Sequence, residues 1–581
     1  MPRLRLLAPV LLAALPAFSQ GLMPLSEVQV GMKGYGKTVF KGGKIERFDF
    51  EVLGIQKNAS PGGARVLVKC SGGPLADTGI IAGMSGSPCY IDGRLVGALS
   101  TGFSFEKDAI GGITPIQQML DQLKDVPEQP GKGTPLVLPK LAPPTVIRSA
   151  LQGEMIPLST ILGGVDPQEL PLPVAGTPLG PQTKSLWSGL PVQFVAAPAL
   201  APDANAQASP LEPGGMVAIN LVQGDLDLTV AGTITYAQGK KLLLFGHPLF
   251  NLGAVDLPLW SASVATVLPS YATSMKLATP VAQVGALRED RSNGVGAVLG
   301  ADARMIPLRI GLNLGGRRTV NFRYEIMDNP LLTPQLAATV LSQTLESQVR
   351  GAGFQSLSLQ GNIKLAGQDA IQIESVVADL NASRLSMFLG GMLQAVCFNP
   401  FEKPVFDGIS LTVKAEEKLD LTGIAGVRVL KGRVRPGDTL PVVVTLQNIQ
   451  GVRETAMLNI PIPDSARPGK VTLMVGDGLS LMAADPDQQA IQVSSLSDVV
   501  RLLNGALRNN HAYAILLQDN AGVGLRGGRI ENLPPSVANL VAADGGSDEG
   551  KLKRQIIGRS VLPLDREVHG LASMELEIEI D

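Results

Sequence analysis

Phe48, Phe50 and Val52 alternate with Arg47, Asp49 and Glu51, the period-two pattern of a strand with one face buried. Gly42-Gly43 precedes it, so KTVFKGGKIERFDFEVLGI predicts a hairpin. ARVLVKC predicts another strand, and CYIDGRLVGAL a second hairpin turning at Asp92-Gly93. TPIQQMLDQLKDV then switches to helical spacing, with Thr114 as N-cap, Pro115 at the first helical position and Gln117 at the capping-box position. These elements form one unit over residues 22–126.

Residues 127–215 are rich in proline and glycine and weakly periodic. APALAPDANAQASPLEPGG reads as linker, while GLPVQFVAAP keeps a strand pattern. Strand periodicity returns at Met216. LTVAGTITYAQGKKLLLF turns at Gln238-Gly239 and ends in Gly246-His247-Pro248. MIPLRIGLNL and RRTVNFRYEI continue the β pattern. TPQLAATVLSQTLESQVRG predicts a helix capped by Thr333, begun by Pro334 and stopped by Gly351, and SRLSMFLGGMLQAV a second helix. This unit runs over 216–402.

From 403 to 581 the pattern changes once more. RVRPGDTLPVVVTLQN and ETAMLNIPIP predict paired strands, with Val442, Val444 and Leu446 on one face and Leu458, Ile460 and Ile462 on another. That patterning predicts a β-sandwich. SDVVRLLNGALRNN adds a capped helix and ASMELEIEI a closing strand. The fold class expected is therefore mainly β with a few helices.

Composition narrows the function. Of 581 residues, 45% are hydrophobic but only 4% aromatic, so the cores are aliphatic. Gly (66) and Pro (43) far exceed their usual share of ~12% and call for many turns. A net charge of −2 without a long basic run argues against nucleic acid as partner. The N-terminus has Arg3 and Arg5, an apolar run from Leu6 to Leu15 and a small-x-small site at Ala17-Phe18-Ser19. This predicts a signal peptide over residues 1–19 and export to the periplasm or the extracellular space. No later run is long enough to span a membrane. Cys70, Cys89 and Cys397 lack metal-ligand spacing; Cys70 and Cys89 are either a pair in an oxidising compartment or small buried hydrophobes.

GIIAGMSGSPCYIDGRLVGALS, residues 79–100, carries the candidate chemistry. A serine hydroxyl needs a base to become a nucleophile, and the oxyanion it creates needs fixed N–H donors. Gly83 allows a sharp turn with its N–H free, Ser85 offers Oγ and a second N–H, and Gly86 removes bulk behind them. Ser87 is the other serine nearby and has no role in this pattern.

TGIIAGMSGSPCYIDGRLVGAL resembles the nucleophile segment of the SpoIVB (stage IV sporulation protein B) serine peptidases, and is similar to the nucleophile loop of chymotrypsin-like proteases. AGTITYAQGKKLLLFGHPL, with SMKLATP and VGALREDRSNGVGAVLG beyond it, resembles the family's histidine segment. The resemblance spans residues 32–120 and 216–300. It implies a chymotrypsin-like double β-barrel assembled from two separated segments, with Ser85 as nucleophile, Gly83 and Ser85 N–H groups as oxyanion hole, and His247 as general base. No cofactor is implied.

The serine segment here precedes the histidine segment, the reverse of the family's order, which a permuted double barrel accommodates because a triad is defined by geometry. The family's aspartate position falls at Cys70. Asp256 is the nearest carboxylate after His247; Asp77, Asp225 and Asp227 are further candidates, and a Ser–His dyad or a backbone carbonyl as orienter is an alternative. His511 and His569 read as turn or surface residues. Two functions follow: an exported serine endopeptidase acting on polypeptides through an acyl-enzyme, whose C-terminal region binds substrate or a cell-envelope partner, or a non-catalytic exported binding or scaffold protein that retains the barrel.

Overall fold

A computed structural model describes residues 21–579 except 61–62, 125, 130–142, 163–171, 197–206, 316–317, 350–354, 380–382, 485–492, 526–527, 531–533, 535, 538–539 and 541–550. The expected signal peptide and the helix stop at Gly351 lie outside the described residues. The chain forms two compact units. One comprises residues 1–130, 199–219 and 230–303, the other 131–198, 220–229 and 304–581.

In the first unit, strands Lys33–Val39, Ile45–Ser60, Gly63–Ser71, Ile110–Pro115, Arg94–Thr101 and Ser87–Ile91 close, in that spatial order, into a barrel. Phe48, Phe50 and Val52 point into it with Val66, Val68, Cys89, Leu99 and Ile113. Asp92 (φ 51°) and Gly93 (φ 73°) make the two-residue turn that the sequence predicts, both in the left-handed region that this hairpin type requires.

A second ring follows Met216–Gly224, Gly253–Leu268, Met275–Arg291, Gly294–Leu299, Lys241–Leu244 and Leu228–Gln238, closed by pairing of the first strand with the last. Val39 of the first barrel packs with Met216, Ala218, Ala262, Val264 and Ala278 of the second. Gly42 and Val264 exchange backbone hydrogen bonds of 2.7 and 2.8 Å. The expected double β-barrel built from two separated segments is what the chain forms.

The helix after the first barrel spans Ile116–Lys124, one residue later than its capping signals suggest. Thr114 and Pro115 end the preceding strand instead. The Thr114 hydroxyl is buried and donates to the Gly246 carbonyl at 2.8 Å, a tertiary bond that replaces the cap.

In the second unit, the predicted helices occupy Thr333–Gln348 and Ser383–Cys397. Leu332, not Thr333, holds the N-cap position of the first, because the Thr333 hydroxyl donates to the Met327 carbonyl. The weakly periodic segment contains helices Pro143–Leu151 and Leu158–Leu162 and strands Leu172–Gly176 and Val192–Ala196. Beyond it a four-stranded and a six-stranded sheet share one core. Val442, Val444, Leu446, Leu458 and Ile460 of the first meet Val471, Leu473, Val475 and Leu516 of the second, the sandwich that the alternation predicts.

Candidate functional site

The turn between helix Leu75–Thr78 and strand Ser87–Ile91 carries the candidate nucleophile. Its shape comes from two glycines at positive φ, Gly83 (95°) and Gly86 (94°). A Cβ at Gly86 would lie 2.0 Å from the Thr233 carbonyl oxygen and 2.6 Å from the Phe245 nitrogen, so no other residue fits. Around the turn, the N–H of Met84 donates to Ile81, Gly86 to Leu99 and Ser87 to Met84, at 2.7–2.9 Å. The N–H groups of Gly83 and Ser85 have no acceptor among the described residues. Buried or half-buried amides without partners are rare in folded chains. Of these two, one is the amide of the half-buried Ser85 itself and the other lies two residues before it, next to the nucleophile as an oxyanion hole requires.

The second loop follows strand Lys241–Leu244. Phe245 (φ 66°) and Gly246 (φ 72°) are consecutive left-handed residues, and a Cβ on Gly246 would approach Ala98 Cβ to 2.8 Å. His247 Nδ1 lies 2.7 Å from the Pro248 carbonyl oxygen. Since the carbonyl only accepts, that bond places the proton on Nδ1 and leaves the Nε2 lone pair free. Asp290, fully buried, accepts the N–H groups of Leu249 (2.8 Å), Phe250 (2.9 Å) and Leu252 (3.2 Å) and so fixes the loop beyond the histidine. Burial pushes the His247 imidazole below its ordinary value, opposed by the Pro248 carbonyl and by Asp290 and reinforced by Arg65. Burial raises the Asp290 carboxyl against its three amide donors and His247. The net direction favours the neutral imidazole, the form a general base needs.

The two loops meet. Thr233 donates its N–H to the Ser85 carbonyl (2.8 Å) and its hydroxyl to the Gly83 carbonyl (3.0 Å). Thr235 donates to the Gly86 carbonyl (2.8 Å). Gly86 also packs against the Phe245 amide, two residues from His247. No hydrogen bond joins Ser85 Oγ to His247 among the described residues.

The other candidates lie elsewhere. Asp256 pairs with the buried Arg288. Asp77 belongs to helix Leu75–Thr78. Asp225, Asp227, His511 and His569 are in the second unit. Ser87 Oγ is buried without a hydrogen-bond partner among the described residues. Cys70, Cys89 and Cys397 are free and buried; burial raises the Cys70 thiol, with a contribution from Glu106, to about 12, so it is an inert thiol. Asp290 is the carboxylate that sequence reasoning passed over. It sits within VGALREDRSNGVGAVLG, but 43 residues after His247 nothing local connects the two. Lys276 is the other: its fully buried side chain lies against Gly83.

Residues 23–120 match the family model of the SpoIVB peptidase S55. This segment is of the SpoIVB peptidase family. The match covers the first barrel, its closing helix up to residue 120 and the whole nucleophile turn; the histidine loop lies beyond it. At the family level the SpoIVB-type segment reads as part of a serine peptidase. No curated protein and no solved structure matches the chain. No helix among the described residues is long and apolar enough to cross a membrane.

Proposed function

We propose that the protein is an exported serine endopeptidase that cleaves polypeptides through an acyl-enzyme at Ser85. The observation that carries this reading is the pair of acceptor-free amides, Gly83 and Ser85, that alternate with the bonded amides of Ala82, Met84 and Gly86. Ser85 Oγ attacks the peptide carbonyl while its proton passes to Nε2 of His247. The resulting oxyanion is bound by the two amides. His247 then protonates the leaving amine, and water repeats the sequence to release the acyl group. The Pro248 carbonyl orients the imidazole, and Asp290 holds the loop that presents it. Export is supported by the charged and apolar N-terminal pattern.

A fluorophosphonate probe tests the proposal. It labels the protein, and both Ser85→Ala and His247→Ala abolish the label. A second reading, a non-catalytic exported binding protein on the same barrels, is favoured by one observation, the missing hydrogen bond between Ser85 and His247. Absence of label on the intact protein, at any pH between 5 and 9, would decide for it.

A further inference from the structure

Lys276 is 1% exposed. Its Nζ donates to Thr38 Oγ1 at 2.6 Å and lies 3.9 Å from Met216 Sδ. Its aliphatic stem crosses the nucleophile turn: a Cβ at Gly83 would be 3.2 Å from Lys276 Cδ and 3.4 Å from Lys276 Cβ. Its own N–H donates to the Ala82 carbonyl at 3.0 Å. The groups facing it from the packed elements, Thr38, Met216, Ala82 and Gly83, are all uncharged. Lys37, the next charge along the Thr38 strand, sits over the Tyr90 ring at 5.6 Å. An ammonium buried without a carboxylate destabilises a fold, and such groups concentrate at functional sites.

We propose that Lys276 is a positioning residue of the nucleophile turn: its stem lies against Gly83, and its amine, anchored on Thr38, sets positive charge in the neighbourhood of the amide that receives the oxyanion. The inference rests on the peptidase reading of Ser85. Negative charge forms at that amide only in the transition state, so an ammonium nearby in a buried setting favours the transition state over bound substrate. An unbranched apolar residue such as methionine would fill nearly the same space without a buried charge; the amine is explained by what it does to the neighbouring charge.

Two properties follow from the geometry together with burial, which lowers the amine from 10.5 to about 7. First, labelling at Ser85 loses its electrostatic support as pH rises through about 7, while His247 sets the acid limb, giving a bell-shaped profile. Second, the lysine binds its proton less well folded than unfolded. Its burden on stability is full below about 7 and is relieved as pH rises towards 10.5.

The test compares the intact protein with the double variant Lys276→Met/Thr38→Val, which keeps the bulk and leaves no hydroxyl orphaned. The expected result is a fluorophosphonate labelling rate reduced ~10-fold or more near pH 6.5, loss of the alkaline limb, and a higher melting temperature below pH 7. Lys276→Arg, too large for the site, serves as the variant in which charge is kept and position lost. An unchanged rate and an intact alkaline limb in the double variant overturn the inference alone. A fall in rate accompanied by a lower melting temperature at pH 6 also overturns it, since the lysine is then only a packing element. Absence of label on the unsubstituted protein overturns the peptidase reading and this inference with it.

Discussion

Thr233 holds Ser85 by its backbone and Gly83 by its side chain: its N–H donates to the Ser85 carbonyl at 2.8 Å and its hydroxyl to the Gly83 carbonyl at 3.0 Å. One residue of the second barrel therefore fixes both peptide units that border the candidate oxyanion hole of the first. Thr233 is fully buried. In Thr233→Val the backbone bond survives and the Gly83 carbonyl loses its donor inside the protein. The expected cost is ~1–3 kcal/mol of stability. The labelling rate should fall further than that of a variant equally destabilised elsewhere, because the turn itself loosens. Chemical denaturation paired with labelling kinetics measures both.

Gly86 tests the contact between the loops. At φ 94° an L-residue is strained by roughly 1–2 kcal/mol, and the added Cβ meets a backbone carbonyl at 2.0 Å and a backbone nitrogen at 2.6 Å. Backbone atoms cannot rotate aside as a side chain does, so the overpacking adds another ~1–3 kcal/mol. Gly86→Ala is thus expected to lower stability by about 2–5 kcal/mol. Gly93, where a Cβ meets nothing within 4 Å, is the control: Gly93→Asn keeps the left-handed turn and should leave the melting temperature within a few degrees.

Asp290 and Asp256 are separable by pH. The charge of Asp290 raises the His247 imidazole against the effect of burial. In Asp290→Asn that support is gone, the imidazole stays neutral to lower pH, and the acid limb of the labelling profile moves to lower pH. Asp256 pairs with Arg288 and exerts no resolved influence on His247. Asp256→Asn weakens that pair and lowers the melting temperature, with the acid limb unmoved. A limb that shifts in Asp256→Asn and stays in place in Asp290→Asn would return the orienting role to Asp256.

What was legible in the chain was what is encoded locally. Alternation at Phe48, Phe50 and Val52 named the inward face of the first barrel, and Asp92-Gly93 named a hairpin, because strand period and turn chemistry act between neighbours. The GMSGSP turn announced its sharp shape through Gly83 and Gly86. Long-range partners were invisible. Thr114 has every mark of an N-cap, yet its hydroxyl is claimed by Gly246, 132 residues away. Asp256 is near His247 in sequence, but residues on a long strand diverge quickly in space, while Asp290 returns on the neighbouring strand, where Gly253 pairs with Asp290. Lys276 lies in the SMKLATP segment, but nothing there singles it out: a lysine in a strand reads as solvent-facing until its burial is seen.

The second unit carries its own pH dependence, centred on Glu567 and His569. The Glu567 carboxylate is fully buried and accepts from the Ala378 N–H at 2.7 Å and from Arg384 at 2.6 Å, with His569 Nε2 at 3.1 Å. Burial disfavours its charge, but His569, Arg384 and the Ala378 amide outweigh it and hold the carboxyl below its ordinary 4.5. The bond to Glu567 in turn raises His569 above 6.5, against burial. The lowered carboxyl contributes stability that is complete above 4.5 and lost as pH falls through its folded value. The raised histidine contributes stability that is complete below 6.5 and lost as pH rises through its folded value. Both contributions are whole only between about 4.5 and 6.5, so melting of the second unit should peak in that window. His569 is half-exposed, which keeps its share small. In His569→Gln the decline above pH 6.5 should flatten while the acid side remains, because Arg384 still pairs with Glu567. Thermal melts of both proteins from pH 4 to 9 measure it, and an alkaline decline that persists unchanged in His569→Gln would remove the histidine from the account.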